Sequence, residues 1–247
     1  MIRLYSGTPG SGKSLHNARD IIMRSRLGEP VIGNFECDLS KYKKAAYTYI
    51  PNDKLTPEFL MKYSRQWFKG RKVKEGALLL VIDECQLMFN AREWQQSGRE
   101  QWLSFFTQHR KFGFDVTLIA QFDRMIDRQI RSLIEYEFIH RKVSNFGAWG
   151  KILSVAMGGN TFVAVKMWYP LHERIGSEFI HARKSLYGIY DSYATFETTG
   201  AGEGQGVPCP ARSAQDGAEK EEIAHEKPDH KDVKKPGFFL QARTSAP

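Results

Sequence analysis

Cysteine is scarce in this sequence: Cys37, Cys85 and Cys209 lie far apart and form no CxxC pair. That speaks against a disulfide framework and against a thiolate zinc site, and makes a reducing cytoplasm the expected setting. A clean apolar run of about 20 residues, the length a membrane-spanning helix needs, is also missing. The most apolar stretch, residues 152–169, is broken by Gly158-Gly159-Asn160-Thr161 and carries Lys166. Its halves, residues 152–157 and 162–168, are β-prone and predict a hairpin around the Gly-Gly-Asn turn. No charged-then-apolar leader precedes Met1-Ile2-Arg3-Leu4-Tyr5, an expectation against secretion. Acidic residues are the minority, 28 against 36 Lys and Arg, which leaves a formal charge of +8. Such a balance favours an anionic partner, whether nucleotide, nucleic acid or membrane surface, without choosing among them.

What is present is an alternation of strands and helices over residues 1–197. Residues 2–5 read as a strand, 13–27 as a helix closed by Gly28 and Pro30, and 31–35 as a strand. Thr56 and Pro57 open a second helix as N-cap and first-turn proline. Residues 77–82 form a continuous apolar run, the mark of a strand covered on both faces. A helix follows over 99–111, with Gly113 beyond its end, and then a strand over 114–121. Residues 123–134 read as a helix and 136–143 as another strand. The pattern predicts a three-layer α/β domain with a mainly parallel sheet. From Thr198 the composition shifts to Gly, Pro, Ala, Glu and Lys, and residues 198–247 are expected to form a disordered polar tail. Within it, Phe238-Phe239-Leu240 reads as an isolated apolar triplet or a short docking motif.

Gly7-Thr8-Pro9-Gly10-Ser11-Gly12-Lys13-Ser14 matches G-x-x-x-x-G-K-[ST], directly after a predicted strand and directly before a predicted helix. Glycines let successive backbone N–H groups turn inward around phosphate oxygens, and the following helix points its positive end at the same anion. The segment through Leu15 is therefore expected to cradle the phosphates of ATP. Lys13 would reach the β and γ phosphates and Ser14 would ligate Mg²⁺. The bland reading is a glycine-rich turn with a solvated lysine.

Leu78-Leu79-Leu80-Val81-Ile82 ends in Asp83-Glu84, which puts two carboxylates at the sheet edge where α/β proteins bind ligands. Asp83 is expected at the metal and its water, and Glu84 as the group that orients or deprotonates the attacking water. Gln121 ends the strand before it and reads either as a sensor of the γ phosphate or as an ordinary strand-terminal amide. Arg110 reads either as a cation closing a helix or as an arginine finger acting on a neighbouring subunit. His16 reads as a surface or packed residue rather than a ligand, and His109 as packed with Trp102 and Phe105. Arg124, Arg128 and Arg131 read as solvated charge or, in a small-molecule kinase, as lid arginines.

The phosphate loop at the extreme N-terminus, the long insertion before the 78–84 segment, and Gln108-His109-Arg110-Lys111-Phe112-Gly113-Phe114-Asp115 leading to Ile119-Ala120-Gln121 together resemble the zonular occludens toxin (Zot) family over about residues 1–195. That family includes the assembly protein of filamentous phages. The resemblance implies an ATPase at the cytoplasmic face of the host inner membrane that drives virion assembly and extrusion. Its core is similar to the additional-strand, catalytic-glutamate branch of P-loop ATPases near the FtsK and HerA DNA motors, whose members commonly form rings. Coat or export-channel proteins and single-stranded DNA are the partners it implies. Phage proteins of this type usually continue into a transmembrane helix and a periplasmic domain, whereas this sequence continues into the polar tail, so association with the membrane through a partner is the expectation here.

Overall fold

A computed structural model describes residues 1–42, 46–90, 98–156, 159–183, 186 and 189. The chain divides into two units, Met1–Phe196 and Glu197–Pro247. The predicted tail and its Phe238-Phe239-Leu240 triplet lie outside the described residues.

The strands are β1 (Ile2–Ser6), β2 (Val31–Gly33), β3 (Tyr47–Tyr49), β4 (Leu78–Ile82), β5 (Phe114–Ile119), β6 (Tyr136–Lys142), β7 (Thr161–Trp168) and β8 (Glu173–His181). They form one eight-stranded sheet in the order β3-β2-β4-β5-β1-β6-β7-β8. Pairing is parallel from β3 to β6, and antiparallel for β6 with β7 and β7 with β8. Every residue of β4 is buried, which is why its sequence is a run of aliphatic side chains rather than an alternation. Its even-numbered residues, Leu78, Leu80 and Ile82, face one core with Leu60, Phe105 and Phe114. Leu79 and Val81 face the other, with Tyr5, Ile21 and Phe138.

The helices are α1 (Lys13–Leu27), α2 (Pro57–Trp67), α3 (Arg99–Gln108), α4 (Arg128–Arg131) and α5 (Gly147–Ala156). Helix α1 supplies Leu15, Ala18, Ile21 and Ile22 to the second core, so it lies on that face of the sheet. Helix α2 starts as its sequence dictates: Thr56 is the N-cap, its side chain accepts from Phe59 N–H at 3.2 Å, and Pro57 occupies the first turn. Such a cap contributes about 1 kcal/mol.

Three expectations are corrected. The predicted hairpin does not form, because residues 147–156 are helical and β7 pairs with β6 over Tyr136–Trp168 and with β8 on its other side. Both edges of β7 are thus taken by partners that single-segment patterning does not reveal. The predicted helix over 123–134 reduces to a 3₁₀ turn at Asp123–Met125 and the single turn α4. The helix expected to reach Lys111 changes to 3₁₀ at His109–Phe112 before Gly113, which takes φ 75°.

Candidate functional site

The loop from Ser6 to Lys13 connects the end of β1 to α1 and rises at the C-terminal edge of the parallel strands. Gly7 takes φ 138°, and a β-carbon there would stand 2.6 Å from the His140 carbonyl oxygen and 2.7 Å from Ser11 Oγ. Gly12 takes φ 99° and a β-carbon would meet the Phe162 ring at 2.7 Å. Both positions therefore need glycine for conformation and for space. Thr8, Pro9 and Gly10 are exposed, while Ser14 is half-buried in the first turn of α1. Leu15 points into the core, so only its main chain is available to a ligand. Lys13 Nζ donates to Gly7 O at 2.6 Å and to Thr8 O at 3.3 Å. Burial lowers its pKa, and the nearby Glu84 and Asp83 oppose that shift.

Those two carboxylates follow β4 at the same edge. Asp83 is buried, and burial pushes its carboxyl up to about 7, with Glu84 adding to the rise, while the Glu84 N–H and Lys13 hold it down. The Glu84 N–H donates to Asp83 Oδ1 at 2.8 Å. Glu84 itself sits at φ 44°, a left-handed conformation that costs a non-glycine residue on the order of 1–3 kcal/mol and recurs at functional turns. Gln86 Nε2 donates to Glu84 Oε2 and fixes the carboxylate's direction.

Asn34, just past β2, grips this turn from below. Its Oδ1 accepts from Asp83 N–H at 2.7 Å, and its Nδ2 donates to Asp83 O at 2.9 Å and to Asn52 Oδ1 at 2.8 Å. Sequence patterning places Asn34 inside the 31–35 strand, whereas β2 ends at Gly33, and nothing local signals a clamp on a residue 49 positions away.

Gln121 lies one residue past Ala120, and its carbonyl accepts from Gly7 N–H at 3.1 Å. With Ser6, Gly7, Thr8, Glu137 and Phe146 it lines a cavity of about 520 Å³ at the start of the 7–14 loop. Ser6 Oγ donates to Glu137 at 2.5 Å, and burial raises the Glu137 carboxyl. Arg110 stands elsewhere, at the opposite sheet edge, where its guanidinium pairs with Glu135 at 2.7 Å and remains half exposed. Its neighbour His109 is buried, as expected, and is held by Phe106 O at 2.6 Å and the Met1 amine at 2.9 Å. Arg131 stands 3.7 Å from Asp123.

Beneath the loop runs a chain of neutral imidazoles. Arg19 donates to His16 Nε2 at 2.6 Å, which leaves His16 Nδ1 as donor to His140 Nε2 at 2.8 Å and His140 Nδ1 as donor to Ser6 O at 3.1 Å. Burial lowers the pKa of both rings, His140 to about 4 and His16 further. Below an unfolded-state pKa of about 6.5 the unfolded chain binds protons that the folded chain refuses, so stability is lost as pH falls. Between pH 7 and 4.5 the raised Asp83 carboxyl acts in the opposite sense, so the expected result in thermal melts is a midpoint that loses more on acidification in the parent than in His16→Phe; identical pH profiles would remove the imidazole chain as a cause.

The residues present fit a magnesium-bound triphosphate. Ser11 Oγ is buried without a hydrogen-bond partner among the described residues. The Gly7 and Gly12 positions keep side chains out of the cradle, and Asp83 is a buried carboxyl whose raised pKa a cation would reverse. Among the described residues, no group of three or more His, Cys, Asp or Glu is arranged to hold a metal by itself. A phosphate-assisted metal needs no such group.

A family model described as zonular occludens toxin (Zot) matches residues 1–197. The Gene 1 protein of Enterobacteria phage I2-2 is 28% identical over 210 residues, covering 79% of this chain and 57% of that protein. The chain spans about three fifths of the length of the curated relatives it matches. Among solved structures, one described as an ATPase domain shares the fold at a TM-score of 0.50 and 10% identity, covering 76% of this chain and 83% of that one. The N-terminal domain of zonular occludens toxin from Neisseria meningitidis aligns at a TM-score of 0.49 and 18% identity, over 77% and 98% of the two chains. The architecture is that of the P-loop NTPase fold, with the 7–14 loop after β1 and the Asp83-Glu84 pair after β4.

Proposed function

The chain belongs to the zonular occludens toxin family, and on that premise we propose that it is an ATP-hydrolysing motor for the assembly and extrusion of filamentous virions. One observation carries the reading: a glycine-built phosphate loop with Lys13 shares a sheet edge with the Asp83-Glu84 turn, close enough that each carboxylate bears on the lysine's ionisation. In this proposal the main-chain N–H groups from Gly7 to Leu15 hold the phosphates, and Lys13 exchanges its loop carbonyls for phosphate oxygens. Ser14 and Asp83 are the residues that would hold Mg²⁺, which when bound neutralises charge on the β and γ phosphates. Glu84 takes a proton from the attacking water, and Gln121 orients that water against the terminal phosphate.

Because β5 intervenes between β1 and β4, and a glutamate follows Asp83, we assign the domain to the additional-strand, catalytic-glutamate branch. Arg110, far from its own chain's loop and half exposed, takes the finger role only toward the next subunit of a ring. The remaining assignments rest on the family resemblance: a seat at the cytoplasmic face of the inner membrane, coat or export-channel proteins as partners, and single-stranded DNA as a stimulus.

The test is phosphate release with and without single-stranded DNA, with oligomer mass measured in the same samples. Lys13→Ala is expected to abolish turnover and weaken nucleotide binding at least about tenfold. Arg110→Ala is expected to lower kcat with nucleotide affinity intact, and only where the chain assembles. Unchanged turnover in Arg110→Ala removes the finger, and phosphate transfer to a nucleoside without free phosphate would make the protein a kinase.

A further inference from the structure

Helix α5 is built inside out. Its two buried positions are Gly150 and Ser154, while Trp149, Ile152, Leu153 and Val155 are 82, 61, 47 and 77% exposed. A helix packed on a core shows the reverse, small and polar residues outward and large apolar ones inward. The inversion is fixed by close packing: a β-carbon at Gly150 would collide with the Val143 carbonyl, and Ser154 Oγ donates to Gly159 O. Phe146, at the start of the helix, is also exposed. The docked side thus consists of residues too small to tolerate a flipped helix, and the apolar side has to face some other apolar phase.

Charge identifies that phase. Residues 138–172 contain no Asp or Glu, yet include Arg141, Lys142, Lys151 and Lys166. Arg141 and Lys151 are exposed, Lys142 lies next to Arg141 at the end of β6, and Lys151 is carried by α5 itself, beside Val155 around the helix. A second copy of this chain carries the same net charge of +8, so it is a poorer complement to such a segment than an anionic surface. An anionic lipid surface offers both an apolar layer for the tryptophan and aliphatic side chains and a negative plane for the lysines and arginine. At ten residues α5 is about 15 Å long, half the span of a bilayer core, so it would lie in the interface. Among the described residues no helix is long and apolar enough to cross a membrane.

We propose that α5 is a peripheral membrane-binding element that inserts Trp149, Ile152, Leu153 and Val155 into the headgroup region of anionic bilayers. This deepens the proposed seat at the inner membrane and rests on that part of the reading, but not on ATP hydrolysis. The test is co-sedimentation of the full chain with vesicles of phosphatidylcholine containing ~30% phosphatidylglycerol, against pure phosphatidylcholine. Binding is expected on the anionic vesicles, at least about tenfold weaker on the neutral ones, and weakened by salt. The combined variant Trp149→Ser, Ile152→Ser and Val155→Ser is expected to lower partitioning at least about tenfold with the circular dichroism and vesicle-free phosphate release unchanged. Lys151→Glu gives a smaller loss confined to anionic vesicles. Absence of vesicle binding, or equal binding by the triple variant, overturns the proposal. Loss of self-association in the triple variant, without any vesicle binding, would instead assign the helix face to a second copy. Phosphate release that fails while vesicle binding holds would count against the motor and leave α5 standing.

Discussion

Glu84→Gln is expected to lower steady-state ATP turnover by about 10²–10⁴-fold while nucleotide affinity stays within a few-fold of the parent, the signature of losing a general base rather than a binding group. The substitution keeps the side chain's size and an oxygen that accepts from Gln86, so the turn after β4 survives. It removes the carboxylate that could take the water's proton. It also removes one of the two negative charges that oppose the burial-driven fall in the Lys13 pKa, so a small change in phosphate affinity accompanies the loss. Binding of a labelled nucleotide and phosphate release, measured on the same preparation, separate the two effects. Turnover within about threefold of the parent would take the water-activating role away from Glu84.

That prediction was legible in the sequence because its carriers are local. A phosphate loop is eight consecutive residues between a strand and a helix, and the Asp83-Glu84 pair ends a strand whose burial on both faces forces an aliphatic run. The turn and cap chemistry of Gly28 and of Thr56-Pro57 is equally local. Four features escaped because they depend on distant partners. Strand β3 is three residues long and exists through its pairing with β2. Strand β8 reads ERIGSEFIH, with a glycine in its middle and a register shift opposite Lys166 and Met167, so its alternation is blurred. In α5 the β-branched residues suggest a strand, yet the close approach of Gly150 to Val143 and the paired edges of β7 settle it as a helix. His16 and His140 are 124 positions apart and look like unrelated side chains until α1 lies across β6. Sequence patterning reports on faces and turns, but it is silent about which side chain completes which buried polar group.

The consequence is largest at Asn34. Its amide satisfies both main-chain groups of Asp83, at 2.7 and 2.9 Å, and its second amide hydrogen is held by Asn52. Asn34→Leu fills nearly the same volume but leaves a buried N–H and a buried C=O without partners, a cost of about 1–3 kcal/mol for each group. For a domain of this size that corresponds to a fall in melting temperature on the order of 5–15 °C. Because Asp83 sets the position of Glu84 through the 2.8 Å bond from its N–H, the same change is expected to lower turnover more than it lowers nucleotide affinity. Asn52→Ala, which removes only the outer partner, is expected to shift the midpoint by less than a third as much. Melting curves and phosphate release on Asn34→Leu, Asn34→Asp and Asn52→Ala form the test. Asn34→Asp retains the acceptor for Asp83 N–H, loses the donor to Asp83 O, and brings a second carboxylate toward a carboxyl that burial already raises to about 7. Its melting temperature should therefore fall more steeply than that of Asn34→Leu as pH rises through and above neutrality, because the second carboxylate pushes the already raised Asp83 carboxyl further up. A pH-independent midpoint in Asn34→Asp, or a melting temperature within about 2 °C of the parent in Asn34→Leu, would mean that the turn bearing Asp83 and Glu84 is held by β4 alone.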